Sequence, residues 1–169
     1  MEAAWNQVVG TDDLVYYLGD FAMNVRLVPF LLSKLNGTKI LIPGNHDKCW
    51  QKTEPANRWL KYYVDAGFQS IQQTMTLEIV GQLVLLNHLP YRNLNEPDQK
   101  YFDARPVDHG GWLIHGHVHH HWKVSRKQIN VSVDAWEFKP VAIETLVEII
   151  INGPIGSEEL ANMETSADY

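Results

Sequence analysis

At 169 residues, 45% hydrophobic and 20% charged, the chain is long enough for one domain with a sizeable core. No apolar run approaches the roughly 20 residues of a membrane-spanning helix, and the opening MEAAWNQVVG lacks the basic and apolar regions of a secretory leader. The formal charge of −6 draws heavily on the end, where Glu158, Glu159, Glu164 and Asp168 stand without a Lys or Arg, so the body is nearly balanced and no basic cluster points to nucleic acid.

In chain order, EAAWNQVV reads as a helix stopped at Gly10. LVYYLG, Leu14 to Gly19, is a short run rich in β-formers and reads as a buried strand. Asn24 can cap a helix over VRLVPFLLSKL, with Pro29 as a kink inside it. Asn36-Gly37 ends that helix, and TKILI follows as a second buried strand. Helix, strand, helix, strand is the order of a parallel sheet with crossover helices.

EPANRWLKYYVDAGF reads as a further helix, closed near Gly67. TMTLEIV and QLVLLNH flank Gly81 as a hairpin. The polar stretch RNLNEPDQKYFDARPVDHGG reads as a long loop or a short polar helix. GWLIHG is one more strand and QINVSVDAW the last; Pro140 opens a helix through VAIETLVEIII. Residues 1–151 thus read as one domain and 152–169 as an acidic, mobile tail. Strands outnumber those of a simple three-layer sheet, so two sheets with helices outside are expected.

One cysteine, Cys49, excludes an internal disulfide framework and fits a reducing cytoplasm. With no second reactive partner in view it reads as a packed thiol. Histidine is unevenly spread: five of the eight lie between His115 and His121, and the others are His46, His88 and His109.

The polar residues that follow the strands carry the chemistry. Asp20 follows LVYYLG, Asn45-His46-Asp47 follow TKILIPG, His88 follows QLVLLN and His115 closes GWLI. Sites in α/β sheets assemble at the carboxyl ends of strands. Carboxylate, carboxamide and imidazole together suit Mn, Fe or Zn better than Ca or Mg, so these four strand ends read as one metal site. His119, His120 and His121 read mainly as surface or rim groups, His109 as solvated and Arg92 as a solvated loop residue.

GD at Gly19-Asp20, GNHD at Gly44 to Asp47, His88 in NHLP, and His115-Gly116-His117 within IHGHVH stand in order along the chain. In this the sequence resembles the calcineurin-like metallophosphoesterases, and INVSVDAWEFKP resembles the closing strand of their small bacterial and phage members. The resemblance implies an α/β, two-sheet sandwich flanked by helices, and hydrolysis of a phosphomonoester or phosphodiester. It matches Asp20 to a carboxylate bridging two metals, Asn45, His88 and His115 to ligands of one ion, and His117 to a ligand of the other. It matches His46 to the group that meets the phosphate as general acid and Asp47 to its orienting neighbour. The implied cofactors are divalent ions, Mn first with Fe or Zn as alternatives, two in the intact family site, acting by hydroxide attack in line with the leaving group.

One part of the pattern is missing. The family opens on a strand ending in D-x-H, and no His precedes Asp20. Asp13 lies seven extended residues before Asp20, roughly 23 Å away at the other end of the strand. We therefore expect Met1 to be an internal start, with the first strand absent, one metal site complete and the other reduced to Asp20 and His117. The competing expectations are a non-catalytic metal-binding remnant and a strand supplied by a separate chain. The partners expected are a phosphoester substrate and no membrane; the substrate itself and the oligomeric state are left open.

Overall fold

The computed structural model describes residues 2–51, 56–93 and 100–153. A first sheet contains β1 (Leu14–Tyr17), β2 (Thr38–Leu41) and β3 (Ser70–Ile71). They run parallel in the order β1-β2-β3, with Leu14 opposite Thr38 and Ile40 opposite Ser70. A second sheet contains β4 (Met75–Ile79), β5 (Gln82–Leu86), β6 (Trp112–His115), β7 (Val124–Ser125) and β8 (Gln128–Asn130). Its order is β4-β5-β6-β8-β7, with both outer pairs antiparallel and the β5-β6 and β6-β8 pairs parallel. The α/β architecture of two sheets with helices follows the expectation from the sequence.

Period-two alternation explains why β2 is apolar throughout. Ile40 and Ile42 face the second sheet and pack with Leu86, Trp112, Ile114 and Ile129, while Leu41 faces the opposite way. That opposite face is covered by α2 (Val28–Leu32) and α3 (Ala56–Ala66), through Val28, Leu32 and Tyr63, with Phe68 just after α3. Lys39 shares this face, and its buried ammonium donates to the carbonyls of Leu35, Asn36 and Gly37 at 2.6, 3.2 and 2.5 Å, tying down the turn between α2 and β2. The inter-sheet core is closed by α4 (Ile143–Asn152) through Leu146 and Ile150.

α1 (Glu2–Asn6) is shorter than the helix expected over EAAWNQVV. Pro29 does not kink a helix; it sits in the first turn of α2, where its missing N–H has no bond to lose. Asn24 caps a 3₁₀ turn at Val25–Leu27 instead, accepting from the Arg26 N–H. β3 and β7 were not expected, being two residues each and too short to show a period. The last strand stops at Asn130, and Val133–Ala135 form a 3₁₀ turn. α4 starts three residues after Pro140, and the tail beyond Gly153 lies outside the described residues. No described helix is long and apolar enough to cross a membrane.

Candidate metal centre

The exits of β1, β2, β5 and β6 meet at one end of the sandwich. Two glycines make that meeting sterically possible. Gly19 has φ +86°, and a Cβ there would press on the Gly44 nitrogen at 2.5 Å. A Cβ on Gly44 would stand 2.7 Å from both the Asp20 nitrogen and His88 Cε1. The loops after β1 and β2 therefore touch through bare backbone, with the His88 ring against both.

Asp47 ties them together. Its fully buried carboxylate accepts from the main-chain N–H groups of Asp20 (2.7 Å), Gly44 (2.9 Å) and Phe21 (3.1 Å), and the Tyr63 hydroxyl donates to it at 3.4 Å. Burial pushes this carboxyl up, the Asp20 charge adds to that, and the three N–H donors oppose it. Asp47 is thus a brace between two loops rather than a partner of the His46 ring. It holds Asp20 at φ +56°, a left-handed backbone uncommon for a non-glycine residue.

His88 is the centre of the arrangement. Its Nδ1 lies 2.8 Å from the Leu18 carbonyl, an acceptor only, so Nδ1 carries the proton and donates. In the neutral ring Nε2 then presents a lone pair. Around that nitrogen stand Asn45 Oδ1 at 3.1 Å, His117 Nδ1 at 3.2 Å and Asp20 Oδ2 at 3.4 Å. Asp20, His88 and His117 offer ligand atoms all within 4.8 Å of one another. So many lone pairs facing one point repel unless a proton or a cation lies among them. Metal-binding histidines almost always donate their other ring N–H to such a carbonyl or carboxylate, which fixes the tautomer.

Burial pushes the Asp20 carboxyl up, but the adjoining His88 ring and the His46 N–H, at 2.9 Å, outweigh it and hold it below the usual range. Burial lowers His117 to about 4, with the like charges of His88 and Arg105 adding to the effect. His117 has φ +70°, which swings its ring toward His88 at 5.1 Å between centroids.

His115 sits elsewhere. On β6 it follows Ile114, which faces the inter-sheet core, so strand parity turns His115 to the opposite face beside Asn130 of β8. There it is wholly buried, edge-on to Trp122 at 4.9 Å, with Nδ1 donating to the Gly116 carbonyl at 2.7 Å. Its Nε2 is buried without a hydrogen-bond partner, and burial lowers its pKa to about 3. The structure thus brings together Asp20, Asn45, His88 and His117, and leaves His115 outside the group. His46 is exposed at the rim, anchored by its main chain to Asp20.

The other candidates resolve simply. Arg92 lies over the Phe102 ring at 4.8 Å and donates to the Arg105 carbonyl at 3.3 Å, inside its own loop. Burial pushes the Cys49 thiol up to about 12, as befits a packed thiol. His119 pairs with Asp134 at 2.9 Å beside the group. Asn130 had no distinguishing signal in the sequence, yet it holds the histidine loop, donating to the carbonyls of His119 and Trp122 at 2.7 and 2.6 Å while Oδ1 accepts from Ser132.

The buried His115 and half-buried His117, both with lowered pKa values, make the metal-free chain pH-dependent. Unfolded, each takes up a proton near pH 6.5; folded, they wait until about 4 and 3. The unfolded state therefore binds more protons within that window, and stability falls as pH drops from about 6.5 towards 4. Each group contributes up to about 1.4 kcal/mol per pH unit there. Urea midpoints of the metal-free chain at pH 7.5, 6, 5 and 4 should decline in turn, and His115→Leu should flatten the decline.

No protein-family model matches the chain. It is 30% identical over 161 residues to the uncharacterized protein MJ1445 of Methanocaldococcus jannaschii, a match taking in 89% of this chain and 73% of the relative. It is 33% identical over 152 residues to the gene 66 protein of Mycobacterium phage L5, covering 79% and 71%. The chain belongs to the family of these proteins. Among solved structures, the family member described here is similar to the protein of unknown function AQ665 from Aquifex aeolicus, with a TM-score of 0.63 at 26% identity over 87% of this chain and 81% of that one.

Proposed function

We propose that the chain is a metal-dependent phosphoester hydrolase with the calcineurin-like metallophosphoesterase fold. The observation that carries this reading is the meeting of Asp20 Oδ2, Asn45 Oδ1 and His117 Nδ1 around His88 Nε2. One carboxylate, one carboxamide and two imidazoles fit Mn, Fe or Zn. A divalent ion held there supplies Lewis acidity, activating water and offsetting charge on phosphoryl oxygens.

The chain's own residues do the rest. The Leu18 carbonyl keeps the proton on His88 Nδ1, and the His46 N–H and Asp47 hold the Asp20 carboxylate in place. The exposed His46 ring makes no hydrogen bond among the described residues and is free to meet a phosphoryl group. When protonated it donates a proton to the leaving oxygen.

Hydrolysis of bis(p-nitrophenyl) phosphate and p-nitrophenyl phosphate with Mn²⁺ tests the reading. Release of p-nitrophenol above the metal-free background is expected from at least one of them. His46→Gln should lower kcat roughly 10²–10⁴-fold while leaving bound metal per chain and the urea midpoint as they were. Background rates for the unmodified chain on both substrates would instead support metal binding without turnover. That second reading is favoured by one observation: among the described residues, the clustered donors suffice for one ion.

A further inference from the structure

Asn130 ends β8, the strand between β6 and β7, and it is wholly buried. Asparagine is a poor strand former, and a buried carboxamide is costly unless its polar atoms all find partners. Here they do. Nδ2 donates to the His119 carbonyl at 2.7 Å and to the Trp122 carbonyl at 2.6 Å, while Oδ1 accepts from the Ser132 N–H at 3.0 Å. These partners settle which way the carboxamide faces, since a flipped one would set Oδ1 against two carbonyl oxygens.

The main chain of Asn130 is pinned as well. Its N–H donates to the Lys123 carbonyl at 2.8 Å, and its own carbonyl accepts from Trp136 Nε1 at 2.7 Å. In the sheet it stands opposite His115. The carboxamide is therefore a fixed post.

What it holds is the segment that carries a metal-binding imidazole. Residues 116–123 leave β6 after His115 and enter β7 at Val124. Extended backbone would leave His117 on the same side as His115, two residues earlier, which faces away from the site. Instead His117 has φ +70° and His119 φ +52°. Non-glycine residues keep such left-handed backbone only where their surroundings impose it.

The bonds inside the segment are short in range: the Val118 N–H donates to the Gly116 carbonyl and the His121 N–H to the Val118 carbonyl. His119 also meets Asp134 at 2.9 Å, but that pair lies at the surface, where ion pairs hold little. The two carboxamide bonds are buried and join the segment to the sheet. They grip it at His119, two residues after His117, and at Trp122, where it returns to the strands.

We infer that Asn130 is a positioning residue of the metal centre: by holding the His119 and Trp122 carbonyls, it fixes the left-handed turn that brings His117 Nδ1 to His88 Nε2. It touches neither metal nor substrate and acts through the loop. An ion then meets an imidazole already in place, which spares the cost of ordering it on binding. The inference rests on the metal centre proposed above and not on hydrolysis.

The test compares Asn130→Asp and Asn130→Ser with Ile129→Ala, which loosens the inter-sheet core on the same strand and leaves the carboxamide alone. Asn130→Asp keeps the shape but turns an acceptor on the two carbonyls. Asn130→Ser adds no buried charge and guards against a variant that fails to fold. Mn²⁺ affinity by calorimetry should fall about 10–100-fold in both, the range for a group that stands behind a ligand. Ile129→Ala should lower the urea midpoint and keep the affinity of the unmodified chain. In the metal-free proteins, the ring-nitrogen NMR shifts of His88 and His117 should move in the Asn130 variants and stay in Ile129→Ala.

A folded Asn130 variant that binds Mn²⁺ as tightly as the unmodified chain would overturn the proposal. An equal loss of affinity in Ile129→Ala would assign the effect to general destabilisation and overturn it too. Absence of Mn²⁺ binding by the unmodified chain would sink the metal-centre reading by itself. Unmoved His117 shifts in both Asn130 variants would then overturn the positioning role separately.

Discussion

Replacing His88 by Ala should abolish metal binding and, with it, any phosphoester hydrolysis. The other three donors are each 3.1 to 3.4 Å from His88 Nε2, so its loss removes the atom on which the group is centred. Asp20→Asn tests the same site while leaving the His88 hydrogen bond to Leu18 intact. For both variants, Mn²⁺ affinity by calorimetry should fall at least about 100-fold, a ligand being a larger loss than the 10–100-fold of an outer-shell partner. His115→Leu should retain the metal, because that ring lies on the opposite face of β6. Full binding by the Ala and Asn variants, or its loss in the Leu variant alone, would relocate the site to His115.

Asp47→Ala should be among the most destabilising single changes in the chain. It removes the acceptor of three main-chain N–H groups and a tyrosine hydroxyl, leaving them without a partner between the β1 and β2 exits. Buried donors left unsatisfied cost about 1–3 kcal/mol each, and relaxation of the two loops offsets part of that. A loss of roughly 3–5 kcal/mol in urea unfolding is expected, at the upper end of ordinary point mutations. Asp47→Asn, which keeps one carbonyl oxygen, should lose about half as much. Equal stability for the Ala variant would mean that Asp47 braces nothing.

The elements that were legible in the sequence are those with enough length to show a period. β1, β2, the β4-β5 hairpin and β6 were each foreshadowed by an apolar run bounded by Gly or a polar cluster. Val80-Gly81 turns the hairpin with positive φ at both positions, as a two-residue connection demands. β3 and β7, two residues each, exist because neighbouring strands offer them backbone partners, and nothing local announces them. Pro29 misled because its effect depends on where the helix begins, which is a capping decision of the whole segment.

The candidate site divides in the same way. Order along the chain was enough to single out Asp20, Asn45, His88 and His115, because each stands just after or at the end of an apolar run, while His117 was reached only through the family resemblance. Which of the two histidines flanking Gly116 joins the first three could not be read from the spacing. One extra residue in an extended strand reverses its face, and a left-handed residue reverses it again. β6 turns His115 away, and φ +70° at His117 brings the next imidazole back. The sequence by itself determined that carboxylate, carboxamide and imidazole groups stand at the exits of several strands. The tertiary structure alone decided which of them meet, the brace made by Asp47, and the hold of Asn130 on the histidine loop, since each depends on backbone direction and on contacts between residues far apart in the chain.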